Sequence, residues 1–182
     1  PSWVLEGGQA GIDERLADAA TWRRIQDEMK QLIRERGIEN YTFARIASYR
    51  ADPSLNGLSI PDAARKVLGA DDLDAQLELM RRMLAAGGAS MVYQFMAEDD
   101  IARIVRHPQV AVASDSGLHV FGEGVPHPRG YGNAARALAR YVREQRVIAL
   151  EEAVRKMTSL PAAHFGFANR GRLAVGYAAD LV

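Results

Sequence analysis

Apolar residues recur along this chain with two different periods, and the change from one to the other marks out the expected elements. Trp22, Ile25, Met29, Leu32 and Ile33 return at helical spacing, while Arg23, Arg24, Lys30, Arg34 and Glu35 fill the other positions. Such a stripe predicts an amphipathic helix, capped by Thr21 and stopped by Gly37. A shorter helix is expected over Ile12–Ala19, after an irregular start that carries Trp3, Gly7, Gly8 and Gly11. Between Tyr41 and Tyr49 aromatic and β-branched residues alternate, which predicts a strand, and Asp52-Pro53 and Asn56-Gly57 supply the turns that follow.

The helical period then returns. Ser59 caps a helix with Pro61 in its first turn and Gly69 past its end, and Asp71 or Asp72 caps the next. Leu73, Leu77, Met80 and Leu84 line one face there, a stripe that suits core packing better than a cofactor box. Gly87-Gly88 ends it. Ser90–Phe95 reads as a short strand, and 98–106 as a helix packing through Ile101, Ile104 and Val105. The run Val110-Ala-Val-Ala113 reads as a strand buried on both faces, so this region predicts parallel strands joined by a right-handed crossover. Asn133 is expected to cap a helix with Ala135, Leu138, Tyr141 and Val142 inward, followed by helices over Leu150–Met157 and Pro161–Phe165. From Gly171 to Val182 the pattern predicts a turn and then an apolar strand, an edge waiting for a cover.

Composition narrows the possibilities. The 182 residues are 48% apolar and 25% charged, enough for a real core, and the net charge is zero. Nothing favours nucleic acid, which requires clustered Lys and Arg, and no apolar run is long enough for a membrane span. The absence of cysteine removes disulfides and thiolate metal sites and suits a cytoplasmic protein. The first residue is Pro, which suggests a processed, trimmed or excised polypeptide.

Candidate chemistry gathers after Ala113. Asp115 stands where a buried strand would end, as a barrel presents a catalytic group; equally, Ser114 and Asp115 can simply open a turn. The polar tract from Ser116 to Gly132 holds five glycines, two prolines, His119, His127, Glu123 and Arg129, a length usually functional or disordered. Arg129, between Pro128 and Gly130, is placed to aim a guanidinium at a carboxylate, or is a surface Arg paired with solvent or Glu123.

Val110-Ala-Val-Ala-Ser-Asp-Ser-Gly117, Pro126-His-Pro-Arg-Gly-Tyr-Gly132 and Leu150-Glu-Glu-Ala-Val-Arg-Lys-Met-Thr158 with Gly176-Tyr-Ala-Ala-Asp-Leu-Val182 together resemble the C-terminal part of the N-acyl-D-amino-acid deacylases (D-aminoacylases) of the amidohydrolase superfamily. The resemblance is strong from Val110 onward and weak over 37–89. It implies an α/β protein that is a partial TIM barrel, predominantly helical with a small incomplete sheet. Residues 1–170 would belong to the barrel with a helical insertion, and 171–182 would start a β-sandwich. It further implies a zinc-dependent hydrolase that cleaves the amide of an N-acyl-D-amino acid. Asp115 would be the general base and Arg129 the clamp on the substrate α-carboxylate, with Ser116 and His127 beside it in the substrate site. His127 would orient the loop or stack, not ligate.

The sequence also departs from the family pattern. Its four histidines, His107, His119, His127 and His164, have no metal-ligand spacing, so the zinc ligands are expected outside this chain and the isolated polypeptide is expected to be inactive. Exposed strand edges would favour self-association. The reading from a different class is a non-catalytic helical assembly module derived from the barrel scaffold.

Overall fold

The computed structural model describes residues 1–181. The chain is mostly helical with one two-stranded sheet, and it divides into two units: residues 1–95 with 120–127, and 96–119 with 128 onward.

The first unit begins with α1 (Gly8–Ala17) and α2 (Ala19–Glu35), the former set earlier than the Ile12–Ala19 expected. The cap of α2 is Asp18 and not Thr21: the Asp18 carboxylate accepts from the Thr21 backbone N–H at 2.7 Å. An anionic acceptor at a helix N-terminus also meets the positive end of the dipole, which a hydroxyl does not exploit as well. Ile25 and Ile33 are buried with the stripe, whereas Leu32 stays 42% exposed. Adjacent residues on a helix lie about 100° apart, so Leu32 and Ile33 cannot both face the core squarely.

Strand β1 (Ala44–Ser48) pairs antiparallel with β2 (Ser90–Tyr93), Ala44 opposite Tyr93 and Ile46 opposite Met91, with an irregularity between Ile46 and Ser48. The irregularity puts Ile46 and Ala47 in succession on buried positions, which a regular alternation forbids. It also turns the Ala47 carbonyl toward Val125, whose N–H it accepts at 2.7 Å, so the 120–127 tract docks onto this strand. Helices α3 (Ile60–Leu68) and α4 (Leu73–Ala85) pack together and cover the sheet. Ser59 caps α3 as the sequence predicts, accepting from Asp62 N–H, and of the two candidates Asp71 and Asp72 it is Asp72 that caps α4, accepting from Ala75 N–H. Ile46, Leu55, Ile60, Leu77 and Leu79 are essentially inaccessible, each burial stabilising by roughly 1.5–3 kcal/mol. Gln76, outside the predicted stripe, is buried as well, its amide joining the Asp71 carbonyl (2.6 Å) to the Tyr41 N–H (2.9 Å).

The second unit holds α5 (Glu98–Arg106), α6 (Arg129–Arg136), a π-helical continuation over Ala137–Glu144, α7 (Leu150–Met157) and α8 (Ser159–His164). Four expectations change here. The run Val110–Ala113 is extended but belongs to no strand; its residues alternate between half-buried and exposed. A doubly buried parallel strand needs a hydrogen-bonded neighbour on each side. Here Val112 N–H instead bonds the Lys156 carbonyl of α7 at 3.1 Å, and β2 pairs antiparallel with β1, so the right-handed crossover does not form. Helix α6 starts at Arg129, not after Asn133, because Pro128 has the φ a helix start requires (−55°) and its carbonyl takes the Gly132 N–H at 2.8 Å. Tyr141 is buried as expected and Leu138 and Val142 are half-buried, but Ala137 is buried in place of Ala135, which is exposed. Ile104 of α5 is 45% exposed, and that helix has no buried residue among those described.

The terminal strand also differs. Residues 171–181 run irregularly, with Ala178 N–H bonded to Asn169 O at 2.9 Å, and Val182, where the strand is expected to end, lies outside the described residues. Gly171 is fixed by its surroundings: at φ +79°, a Cβ there would lie 2.8 Å from the Ala162 Cβ and 2.9 Å from the Thr158 carbonyl oxygen.

Candidate functional site

The residues singled out for chemistry fall mainly in the second unit. Asp115 stands at the end of the extended 110–114 segment with φ +48°, one of two non-glycine residues in the left-handed region among those described. Asp tolerates that conformation better than most residues, but it still costs on the order of 1 kcal/mol and appears where the surroundings impose it. Arg129, first residue of α6, brings its guanidinium Nη2 to 3.0 Å from Asp115 Oδ2. The two residues assigned to base and clamp are thus in contact. Their side chains are 87% and 45% exposed, so the pair contributes at most about 1 kcal/mol to stability. The Asp115 side chain thus meets Arg129 while most of its surface stays open to solvent.

Ser116 is drawn into a second constellation. Its hydroxyl donates to the Gly117 carbonyl at 3.2 Å and lies 3.0 Å from His119 Nε2. The hydroxyl and the imidazole share one hydrogen bond, and the tautomer of His119 sets which of them donates. The Tyr131 hydroxyl donates to the His119 carbonyl at 2.6 Å, and the two rings meet edge-on at 6.0 Å. Gly130 makes the approach possible, since a Cβ there would come within 2.9 Å of Ser116 Oγ and 3.1 Å of His119 Cδ2. His119 and Tyr131 are not among the expected site residues; the signal for them is their spacing around Ser116 and Arg129, which only the fold makes meaningful.

His127 is half-buried at the end of the 120–127 tract and belongs to the first unit, whereas Asp115, Ser116 and Arg129 belong to the second. An open cleft of about 300 Å³ is lined by Val112, Ala113, Ser114, Arg129, Asn133 and Met157, among others. A larger apolar cavity of about 410 Å³ belongs to the first unit, where Trp22, Met29, Phe43, Met80 and Met91 line it; it holds none of the expected site residues.

Behind the extended segment, Lys156 is fully buried, with its ammonium bonded to the carbonyls of His107 and Val110. Glu152, 3.5 Å from that ammonium, has its carboxyl pulled from 4.5 down to about 2, first by its bonds to Arg155 and then by the charges of Arg155 and Lys156. Glu98 gathers Arg136, Arg140 and the Tyr141 hydroxyl. Partial burial raises its carboxyl, but these donors outweigh it and leave the carboxyl below its ordinary range.

The described residues do not fit a metal. No group of three or more His, Asp or Glu side chains converges among them. His107 Nδ1 accepts the Gln109 N–H, His164 Nδ1 bonds the Leu160 carbonyl, and His119 is engaged by Ser116. No helix among them is long and apolar enough to cross a membrane.

Comparison with known proteins bears on this geometry. The sequence pattern of the amidohydrolase family matches residues 7–182. The chain is 43% identical over 138 residues to the N-acyl-D-glutamate deacylase of Alcaligenes xylosoxydans xylosoxydans, covering 76% of this chain and 26% of that one. It is 38% identical over 130 residues to the D-aminoacylase of the same organism, covering 71% of this chain and 25% of that one. Among solved structures, the N-acyl-D-glutamate deacylase of Bordetella bronchiseptica, complexed with zinc and a phosphonate mimic of the tetrahedral intermediate, superposes with a TM-score of 0.63 at 30% identity. That match covers 96% of this chain and 43% of the Bordetella chain. The chain thus spans about a quarter of the length of its sequence relatives.

Proposed function

Because the chain belongs to the amidohydrolase family, we propose that it supplies the base and the carboxylate-binding arginine of a hydrolase that cleaves the amide bond of N-acyl-D-amino acids. The observation that carries this is the 3.0 Å contact between Asp115 and Arg129, which brings together the two side chains the chemistry requires. In the proposed reaction the substrate α-carboxylate takes the place of the Asp115 carboxylate on the Arg129 fork, for which a second carboxylate is a chemically matched partner. Asp115 is thereby released. Its carboxylate accepts a proton from the attacking water as the C–O bond forms, then returns that proton to the leaving nitrogen as the C–N bond breaks. Ser116, held by His119, lines the same approach.

Zinc is present in the Bordetella relative, but no step is assigned to it here, since the described residues do not fit one. Within this reading residues 1–170 derive from the barrel, with a helical insertion, and 171–182 lead into a β-sandwich. Self-association belongs to the same proposal: among the described residues β2 pairs only with β1, and Tyr93 and Phe95 at its end are half exposed. Light scattering across a concentration series would expose a strictly monomeric chain and so remove that part.

The central test is calorimetric titration with N-acetyl-D-glutamate and its L enantiomer. Wild type binds the D form preferentially without turning it over, and Arg129→Met weakens binding by about tenfold or more, the worth of a charge-assisted hydrogen bond. Equal binding of both enantiomers, unaffected by Arg129→Met, would defeat the proposal.

A further inference from the structure

The largest fully buried side chain of the second unit is a lysine. Lys156 has no accessible surface, although removing an ammonium from water costs several kcal/mol and a residue of similar shape such as Met would fill the space without that cost. Its Nζ donates to the carbonyls of His107 and Val110, the latter at 2.9 Å, and its own carbonyl accepts the Val112 N–H at 3.1 Å. The neighbouring Arg155 guanidinium donates to the Pro108 carbonyl. Two consecutive residues of α7 therefore hold four backbone positions, 107, 108, 110 and 112, of a segment that has no strand neighbour of its own. Three residues beyond the last of these stands Asp115, in the left-handed region and in contact with Arg129.

We infer that Lys156 is a positioning residue for Asp115: its buried ammonium replaces the missing sheet partners and fixes the segment that delivers the carboxylate to Arg129. This rests on the proposed roles of Asp115 and Arg129, but the anchoring can be tested separately from them. An apolar side chain in this place would leave the Val110 carbonyl without its donor and the His107 carbonyl with the Val110 N–H alone, and the segment would loosen toward water.

The experiment compares wild type, Lys156→Met and Lys156→Arg by amide hydrogen exchange, by the NMR signal of the Arg129 Nε–H, and by binding of N-acetyl-D-glutamate. In wild type the Val112 amide should exchange at least tenfold more slowly than those of Ala111 and Ala113. Equal rates would overturn the inference before any variant is made. In Lys156→Met, Val112 protection falls at least tenfold, the Arg129 signal moves and affinity for the probe drops about tenfold, while the α3 and α4 amides keep their protection. Lys156→Arg, which retains donors for both carbonyls, restores part of each. If Lys156→Met leaves exchange and the Arg129 signal as in wild type, Lys156 merely fills space and the inference fails. If both variants lose helical circular dichroism alike, its role is general stability and the inference fails too. If wild type itself ignores the probe, the functional reading falls, and the exchange data alone still decide whether Lys156 anchors the segment.

Discussion

The two units are held by different kinds of force. In the first, Ile46, Leu55, Ile60, Ala63, Leu77 and Leu79 pack into an apolar core and polar groups serve mainly as caps. In the second, the buried apolar set is smaller (Ala137, Tyr141, Ala153, Leu160 and Ala162), the largest fully buried side chain is Lys156, α5 is half-buried at best, and Glu98 gathers Arg136, Arg140 and Tyr141. Apolar packing is non-directional and cumulative, so it secures a shape; exposed ion pairs are directional and add little net stability, so they secure a position. The unit that carries Asp115 and Arg129 is built for placement more than for strength, as expected of a region drawn from the less stable end of a protein.

The largest effect should separate the two directly. Leu79→Ala removes a side chain that is 2% exposed from the first core and should cost about 2–5 kcal/mol, read as a lower thermal midpoint with loss of exchange protection in α3 and α4. An equally large effect from Ile104→Ala in α5, where the side chain is 45% exposed, would erase the contrast. Next in size is Gly171→Ala. Its φ of +79° and its close approach to Thr158 and Ala162 should cost about 1–3 kcal/mol and loosen α8, and a neutral result in chemical denaturation would mean that the 171–181 tail does not dock there.

A smaller effect tests whether strain sits at the site. Asp115→Gly should be more stable than Asp115→Ala by about 1 kcal/mol, because both lose the Arg129 contact but only Ala keeps the left-handed penalty. The same melting temperature for the two variants would place no strain there. The smallest is a pH dependence. Glu152 has its carboxyl lowered from 4.5 to about 2, so the folded state binds fewer protons than the unfolded one between these values. The support it gives α7 is complete above about pH 4.5 and is lost as pH falls through about 2. Glu152→Gln should flatten the acid limb of the stability curve in the second unit and leave the first unchanged, as followed by site-resolved exchange.

Much of this was legible in the residues themselves. Ser59 and Asp72 as caps, α7 over Leu150–Met157 and the predominance of helix follow from side-chain chemistry that acts within one turn. Asp115 and Arg129 were recognisable from their motifs, though not their contact, because a glycine-rich tract separates them and no local rule fixes how such a tract closes. Along α6 and its π-helical continuation Tyr141 is buried as the stripe requires, while Ala137 takes the buried place expected of Ala135. Thr21 yielded to Asp18 because two acceptors competed for one helix start.

The amino-acid order alone determined where α3, α4 and α7 begin, which residue types are offered for chemistry and which family the chain belongs to, since each depends on short-range chemistry or on motif identity. Only the tertiary structure decided that Val110–Ala113 lies against α7 instead of within a sheet, that Lys156 is buried to hold it, and that Asp115 meets Arg129. A β-branched run is equally content beside a strand or beside a helix that offers donors and acceptors, and which partner it finds depends on contacts more than forty residues away.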